Sequence, residues 1–415
     1  MTPYLITWAI AILSVAGIII RPYHLPEAIW VVAGSLLLLA LHLILPLDAL
    51  RGIEKGTDVY LFLIGMMLLA EIAREEKLFD WLAAHAINYA KGSSTLLFLL
   101  IYVVGIIVTT FLSNDATAVV LTPAVAAAVK SAKVKKPLPY LFICAFIANA
   151  ASFVLPISNP ANLVIYASHM PPLLQWLSTY ILPSFFAISI TYVLLYWRLR
   201  KDIQQTVETK IIIPPLSREG KTAGIAIIAT AIILLVSSSF GIQLGLPTAI
   251  SGALATLIVL VSANKKPWAI LKGVSWSILP LVAGLFIIVE ALDKTGLITS
   301  LSNILKNDAA QCATLTAWRN GTIVAFASNL TNNLPSGLIA GNVVQASGVS
   351  SLIKHFVLIG VDLGPNLSVT GSLATILWLV ALRREGENVS ALTFLKLGII
   401  VMIPALFAAF AALLL

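Results

Sequence analysis

STLLFLLIYVVGIIVTTFLSNDATAVVLTPAVAAAVK, residues 94–130, is apolar at both ends and polar in the middle. The first arm approaches the roughly 20 residues that a helix needs to span hydrocarbon. The polar centre is Ser113-Asn114-Asp115-Ala116-Thr117. An unpaired polar group in hydrocarbon costs several kcal/mol, so a lipid-facing helix does not carry such a cluster. Irregular backbone at membrane depth belongs around a cavity. The stretch therefore reads as a re-entrant hairpin, entering and leaving by the same face with 113–117 at its tip.

Three further apolar stretches are interrupted in the same way. They are 138–169 at ISNPAN, 310–346 at SNLTNNLPS and 351–382 at DLGPNLSVTGS. The second reads as another hairpin, and the other two as discontinuous helices. Pro160 removes a backbone donor, and Pro365 with Gly364 and Gly371 loosens the last stretch. Eight apolar segments are uninterrupted: Tyr4–Ile20, Ala28–Leu45, Asp58–Ala73, Tyr180–Trp197, Ala223–Phe240, Leu246–Ala263, Ser275–Leu292 and Ala391–Leu415. Of the 415 residues, 59% are hydrophobic and 11% charged, with a mean hydropathy of +0.99. Soluble domains run at about 45–50% and about 25%, so a soluble fold is excluded and an all-α polytopic membrane protein is expected.

The interruptions come in pairs. LLAEIAREEKLF (68–79) aligns without a gap on IIVEALDKTGLI (287–298), setting Glu71 opposite Glu290 at an offset of 219. Asn114-Asp115 then falls opposite Asn332-Asn333 at 218, and ISNPANLVI (157–165) opposite VTGSLATIL (369–377) at 212. Matches in one order at nearly one offset indicate an internal repeat. Corresponding broken helices in two halves are the best pointer in a sequence to a transport site. With five crossings in each half, about ten transmembrane helices and two hairpins are expected. An odd number per half makes the repeats inverted. The expected division is 1–197 and 223–415, joined by a basic linker at 198–222 that contains Pro214-Pro215, Arg198, Arg200, Lys201, Lys210, Arg218 and Lys221.

Charge supplies the orientation. Placing 21–27, 74–93, 130–137, 198–222, 264–274 and 383–396 in the cytoplasm puts 20 of the 26 Lys and Arg there, as the positive-inside bias requires. Both termini then face outward, in the cell inner (plasma) membrane. The net charge of +8 is this bias and calls for no nucleic acid. The first apolar segment lacks a basic leader and a small-residue cleavage site, so it is expected to be retained. LFDWLAAHAINYA (78–90) suits an interfacial helix.

The candidate ligand groups are Ser113, Asn114 and Asp115 at the first tip, Asn332 and Asn333 at the second, and Ser158, Asn159, Gly371 and Ser372 in the discontinuous helices. Asn and Ser donate and accept hydrogen bonds without charge, which suits a hydroxylated neutral ligand. Asp115 and Asp362 are the carboxylates inside interruptions and the candidates for proton coupling, because Asn, Ser and Thr do not titrate. Asp362, the counterpart of Asn149, could equally be a structural acid paired with Lys354, His355 or a backbone donor. Glu71 and Glu290 read as solvated helix ends, His42 as a packing histidine inside a helix, Arg319 as a group near the membrane face, and His24, His85 and His169 as interfacial. Lys130, Lys133, Lys135 and Lys136 read as a solvated face. Cys144 and Cys312 form no metal or disulfide pattern. The GxxxxGK[ST] phosphate loop is absent, so the chain is not itself an ATPase, and no catalytic constellation or cofactor is expected.

FLSNDATAVVLTPAV (111–125) and SNLTNNLPSGLIAG (328–341) resemble the two hairpin signatures of the arsenite/antimonite efflux permeases, the ArsB-type arsenical pump membrane proteins of the ion-transporter superfamily. The NNLP core is the most specific part. The resemblance implies export of arsenite and antimonite as neutral hydroxides, in exchange for protons or with a docked soluble ArsA-type ATPase. It also implies relatives that carry citrate, dicarboxylates, or sodium against protons. A dicarboxylate carrier would show a cation or repeated Ser-Asn-Thr triplets at its tips, and neither is present. A sodium/proton antiporter, with Asp115 and Asp362 binding sodium or protons alternately, stays open beside the metalloid reading, and so does a subunit that mainly docks an ATPase.

Inverted repeats place residues 130–137 and residue 310 on opposite sides of the membrane. Single cysteines introduced there should react with an impermeant thiol reagent from opposite faces of sealed vesicles.

Overall fold

In a computed structural model the described residues are 3–22, 25–166, 170–208, 211, 213 and 215–415. His24, His169, Lys210 and Pro214 lie outside them. The first half runs α1 (Pro3–Ile20), α2 (Glu27–Ala40), α3 (Pro46–Lys55), α4 (Thr57–Glu75), α5 (Leu78–Ala90) and α6 (Ser94–Phe111). It continues through α7 (Asn114–Ala116), a π-helical turn at Thr117–Leu121, α8 (Thr122–Ser131), α9 (Leu138–Ala150), α10 (Pro160–Tyr166) and α11 (Leu173–Ile203). The second half runs α12 (Arg218–Ser239), α13 (Gly245–Ala263), α14 (Trp268–Gly273), α15 (Ile278–Lys294) and α16 (Leu297–Gln311). It ends with α17 (Ala313–Thr331), α18 (Asn333–Ser347), α19 (Ser351–Leu363), α20 (Leu373–Arg384) and α21 (Ala391–Ala412). The order repeats: two helices, a short one, two more, a bent pair, a broken helix and a closing helix.

The protein is all-helical among the described residues, as its composition requires. Six helices are long and apolar enough to cross a bilayer alone, and the pair α3–α4, bent by 51°, makes a seventh. The other expected crossings are shorter, such as α2 with 14 residues, or are the two halves of a broken helix. The segment expected to run on to Leu45 ends at Ala40, because the chain turns before Pro46 and starts α3. His42 is consequently exposed in that turn with φ 54°, not packed inside a helix.

Large apolar side chains cover the outside. Ile225, Ile228 and Ile232 of α12 and Leu254, Leu257 and Val261 of α13 are each more than half exposed, which water would penalise and lipid tails do not. Inside, α4 and α13 cross through small residues. A Cβ on Gly65 would sit 2.1 Å from the Thr248 carbonyl oxygen, and one on Gly252 2.5 Å from that of Gly65. In a bilayer no hydrophobic force draws helices together, so close backbone approach through such residues supplies the contact.

Polar contacts collect at the two ends of α4. At one end Lys265 meets Glu76 (2.6 Å), and on the same set of basic segments Lys136 meets Asp202 (2.6 Å) and Lys133 meets Glu208 (2.9 Å). Asn88 pairs both ways with the backbone of Ile211. These contacts join four of the segments assigned to the cytoplasm. Beyond the other end Lys55 meets Glu290 (2.6 Å) and Lys294 meets Asp48 (3.2 Å). Nineteen helical residues, Thr57–Glu75, separate Lys55 from Glu76, or about 28 Å at 1.5 Å per residue, which is close to a hydrocarbon thickness.

Gly65→Leu should drive side-chain atoms into α13. Overpacking costs about 1–3 kcal/mol, so the detergent-solubilised variant should unfold at lower temperature. Gly224→Ala, whose Cβ finds only ordinary contacts at 3.7 Å or more, should leave the midpoint unchanged.

Candidate functional site

Each interruption is capped locally. Ser113 accepts from the Ala116 N–H (3.1 Å), and the Asn114 side-chain oxygen accepts from the Asp115 N–H (2.9 Å). The Thr109 and Thr117 hydroxyls meet at 2.8 Å across the first tip. Pro123 has no N–H for the residue four back, and the helix widens into its π turn at Thr117–Leu121, just before it. Such turns cluster at functional sites. The second tip bends at Asn332, held at φ 73°, a left-handed conformation that non-glycine residues seldom adopt. Its side-chain amide donates to the Thr370 carbonyl at 3.5 Å.

The broken helices bind the tips and each other. Ser158 donates to the Thr110 carbonyl (2.9 Å), fixing the first break to the first hairpin. Asn329 donates to the Gly364 carbonyl (3.0 Å) and accepts from Ser368 (2.8 Å), fixing the second break to the second hairpin. Gly371 packs against that same asparagine, where a Cβ would lie 2.6 Å from its side-chain oxygen. Ser372 caps α20, accepting from the Thr375 N–H at 3.1 Å. Asn333 is buried at the start of α18. Between the halves, Asn159 donates to Asp362 at 2.8 Å and Asn149 to Asn366 at 3.0 Å.

Asp362 is fully buried, and its partner is Asn159, not the Lys354 or His355 weighed from the sequence. Lys354 lies over the Tyr166 ring at 5.0 Å, and His355 meets Tyr180 edge-on at 5.5 Å. The second oxygen of Asp362 and the side-chain oxygens of Asn149 and Asn162 have no hydrogen-bond partner among the described residues. All three are acceptors, and the Ser152 hydroxyl beside Asp362 is committed to the Asn149 carbonyl at 2.7 Å, so the network is short of donors. Asn162, Asn329 and Asn366 belong to the network although sequence reasoning did not select them. Their signal was their position inside the same polar interruptions.

Two clefts flank this centre. A narrow one of about 60 Å³ is lined by Met66 and Glu71 of α4, Ser113, Asp115, Pro160 and Gly273. A wide one of about 720 Å³ is lined by Glu290 of α15, Asn342 and Gln345 of α18, Lys55, Asp58 and Asp293. Their walls correspond. Each has the acidic end of α4 or α15, the second arm of a hairpin, and the start of the reciprocal helix. Glu71 is not a solvated helix end. It is 5% exposed, receives Arg74 at 2.9 Å and packs on Gly273, where a Cβ would fall 1.6 Å from its oxygen. Arg319 is tied to Asp308. Of the sequence-selected groups, Ser113 and Asp115 line the narrow cleft. Asn159 and Asp362 meet behind it, and the remainder cap or pack the breaks.

Two hairpin tips, two broken helices joined through buried amides, and a cleft at each end of the pair define a multi-pass membrane transporter. The family model described as citrate transporter matches residues 8–359. The arsenical pump membrane protein of Escherichia coli (strain K12) is 30% identical over 426 residues, spanning 99% of this chain and 98% of that one. Its namesake from Yersinia enterocolitica is 30% identical over 84% of each chain, and a putative arsenical pump membrane protein of Bacillus subtilis 24% over 92% of each. The chain therefore belongs to the citrate transporter family, with the arsenical pump membrane proteins, and is a multi-pass protein of the inner (plasma) membrane. The solved Alcanivorax borkumensis YdaH transporter, described as having an unusual topology, shares the fold with a TM-score of 0.57 at 14% identity, over 88% of this chain and 86% of that one.

Asn159→Ala removes the side-chain donor that meets Asp362. An orphaned buried group costs about 1–3 kcal/mol, more when charged. The variant should unfold at lower temperature, and adding Asp362→Asn should recover part of the loss in a thermal-denaturation series.

Proposed function

We propose that the protein exports trivalent arsenic and antimony as their neutral hydroxides, driven by proton entry. The observation that carries this reading is the neutrality of the centre. Apart from Asp362 and the Arg74-paired Glu71, its buried polar groups are Asn, Ser and Thr, which pair with hydroxyl groups without demanding a charge. Thiol coordination is no part of it, because Cys144 is buried, Cys312 is exposed and the two are far apart in sequence. Full-length identity with proteins named arsenical pumps supports the same substrate class. A cavity open toward Glu290 and a constricted cleft at Glu71 suit alternating exposure of one central site.

The proposal includes inverted repeats, 1–197 and 223–415, joined by the linker 198–222. Reciprocal walls in the two clefts and the repeated element order support it. With the basic segments in the cytoplasm, the wide cavity opens outward. Export of a neutral solute gains nothing from the membrane potential. One proton moving inward releases about 2.3 kcal/mol per 100 mV, enough for somewhat under two decades of gradient at about 1.36 kcal/mol per decade. Asp115, in the cleft, and Asp362, in the donor-poor network, are the proposed carriers. Protonation of Asp362 would supply one of the missing donors.

A second reading, sodium/proton exchange, is favoured by one observation: the unpartnered oxygen of the Asp362 carboxylate and the two unpartnered amide oxygens of Asn149 and Asn162 are the kind of oxygen ligands a hard cation binds. Docking of a soluble ATPase would add a separate energy source, since the chain has no phosphate loop of its own.

In everted vesicles with an acidified interior, the wild-type protein should accumulate arsenite. Asp115→Asn or Asp362→Asn should retain equilibration but lose accumulation. Unchanged proton dependence in both variants would remove the antiport reading. Sodium movement without arsenite movement would favour the second reading, and a requirement for added ATPase the third.

A further inference from the structure

On the face that carries the basic segments, a groove of about 610 Å³ lies between the start of α9, the end of α11 and the start of α21. It is separate from both transport clefts. Its floor is apolar: Phe142, Leu199 and Leu397 line it, and all three are buried against the helices. Its rim holds Lys135, Lys136, Arg198 and Lys396 against two acids, Asp202 and Glu387. Asp202 is taken by Lys136 at 2.6 Å. Lys135, Arg198 and Lys396 have no carboxylate within 4 Å among the described residues. Two helices also begin here. These are α9 and α21, and helix starts favour negative charge.

The position of the groove selects its occupant. Trp197, next to Arg198, is 54% exposed, and Val193 one turn earlier is 57% exposed. A large exposed aromatic between an apolar flank and a basic helix end marks the level of the headgroups. An apolar floor under unpaired cations at that level matches a lipid with a negative headgroup, whose phosphate meets the cations while an acyl chain lies on the floor. A free phosphate would leave the floor uncovered. A zwitterionic headgroup would bring its own cation toward three others.

We propose that this groove binds an anionic phospholipid. The phosphate is held by Lys135, Arg198 and Lys396, and the chain lies along Phe142 and Leu397. Such a lipid ties the broken helix of the first half to α11 and α21, the closing helices of both halves.

The test uses the full-length protein, delipidated in a non-ionic detergent, and follows its unfolding midpoint. Phosphatidylglycerol should raise the midpoint by several degrees, while phosphatidylcholine and inorganic phosphate should not. In the triple variant Lys135→Gln, Arg198→Gln, Lys396→Gln the shift should vanish. It should persist in Lys306→Gln, an exposed lysine on another element. Lys396→Gln alone should need about tenfold more phosphatidylglycerol for half the shift, which serves if the triple variant does not fold. An equal shift from phosphatidylcholine, a shift reproduced by inorganic phosphate, or a full shift in the triple variant would each overturn the proposal. So would a triple variant that keeps the lipid shift but loses binding to an added soluble ATPase, since the groove would then be a protein-docking surface.

Discussion

Every backbone N–H and C=O at membrane depth needs a partner, because hydrocarbon offers none. Four interruptions in one chain violate the simplest solution to that constraint, the continuous helix. The structure meets it by closing the breaks on one another. Ser158 reaches the first hairpin, Asn329 reaches the second broken helix, and Asn159 and Asn149 cross between halves to Asp362 and Asn366. Side-chain amides replace the missing helical bonds, and the surrounding helices keep lipid away.

The same solution concentrates polar groups at the centre. Amides and hydroxyls that replace backbone partners are also groups that can recognise a polar solute, and they stand where four helix ends converge. Neutral residues are suited to this, since an unpaired charge at that depth would cost far more than an unpaired amide. Asp362 is the exception, and its placement among acceptors is the least satisfied feature of the centre.

Close packing gives this centre a rigid frame. Gly65 and Gly252 let α4 and α13 touch backbone to backbone, and one end of α4 carries Glu71 into the narrow cleft. Clefts of about 60 and 720 Å³ stand against that frame, the narrow one lined mainly by apolar side chains and the wide one also by Lys55, Asp58, Glu290 and Asp293.

Much of this was legible in the sequence, for stated reasons. Composition excludes a soluble fold because apolar surface on this scale has no place in water. The polar clusters at 113–117, 157–162, 328–336 and 362–372 mark the breaks because hydrocarbon tolerates none elsewhere. The caps at Ser113, Asn332 and Ser372 follow from the helix starts beside them. What only the tertiary structure decided is which group faces which. Asp362 pairs with Asn159 and not with the nearby Lys354 or His355. Glu71 is buried against Gly273, His42 sits outside its helix, and α3 forms a separate bent element. A one-dimensional pattern gives the period and the interruption of a helix. Partners separated by some 200 residues, such as Asn159 and Asp362, depend on how two chain halves lean together, and that is set by the packing of whole helices and not by any local run of residues.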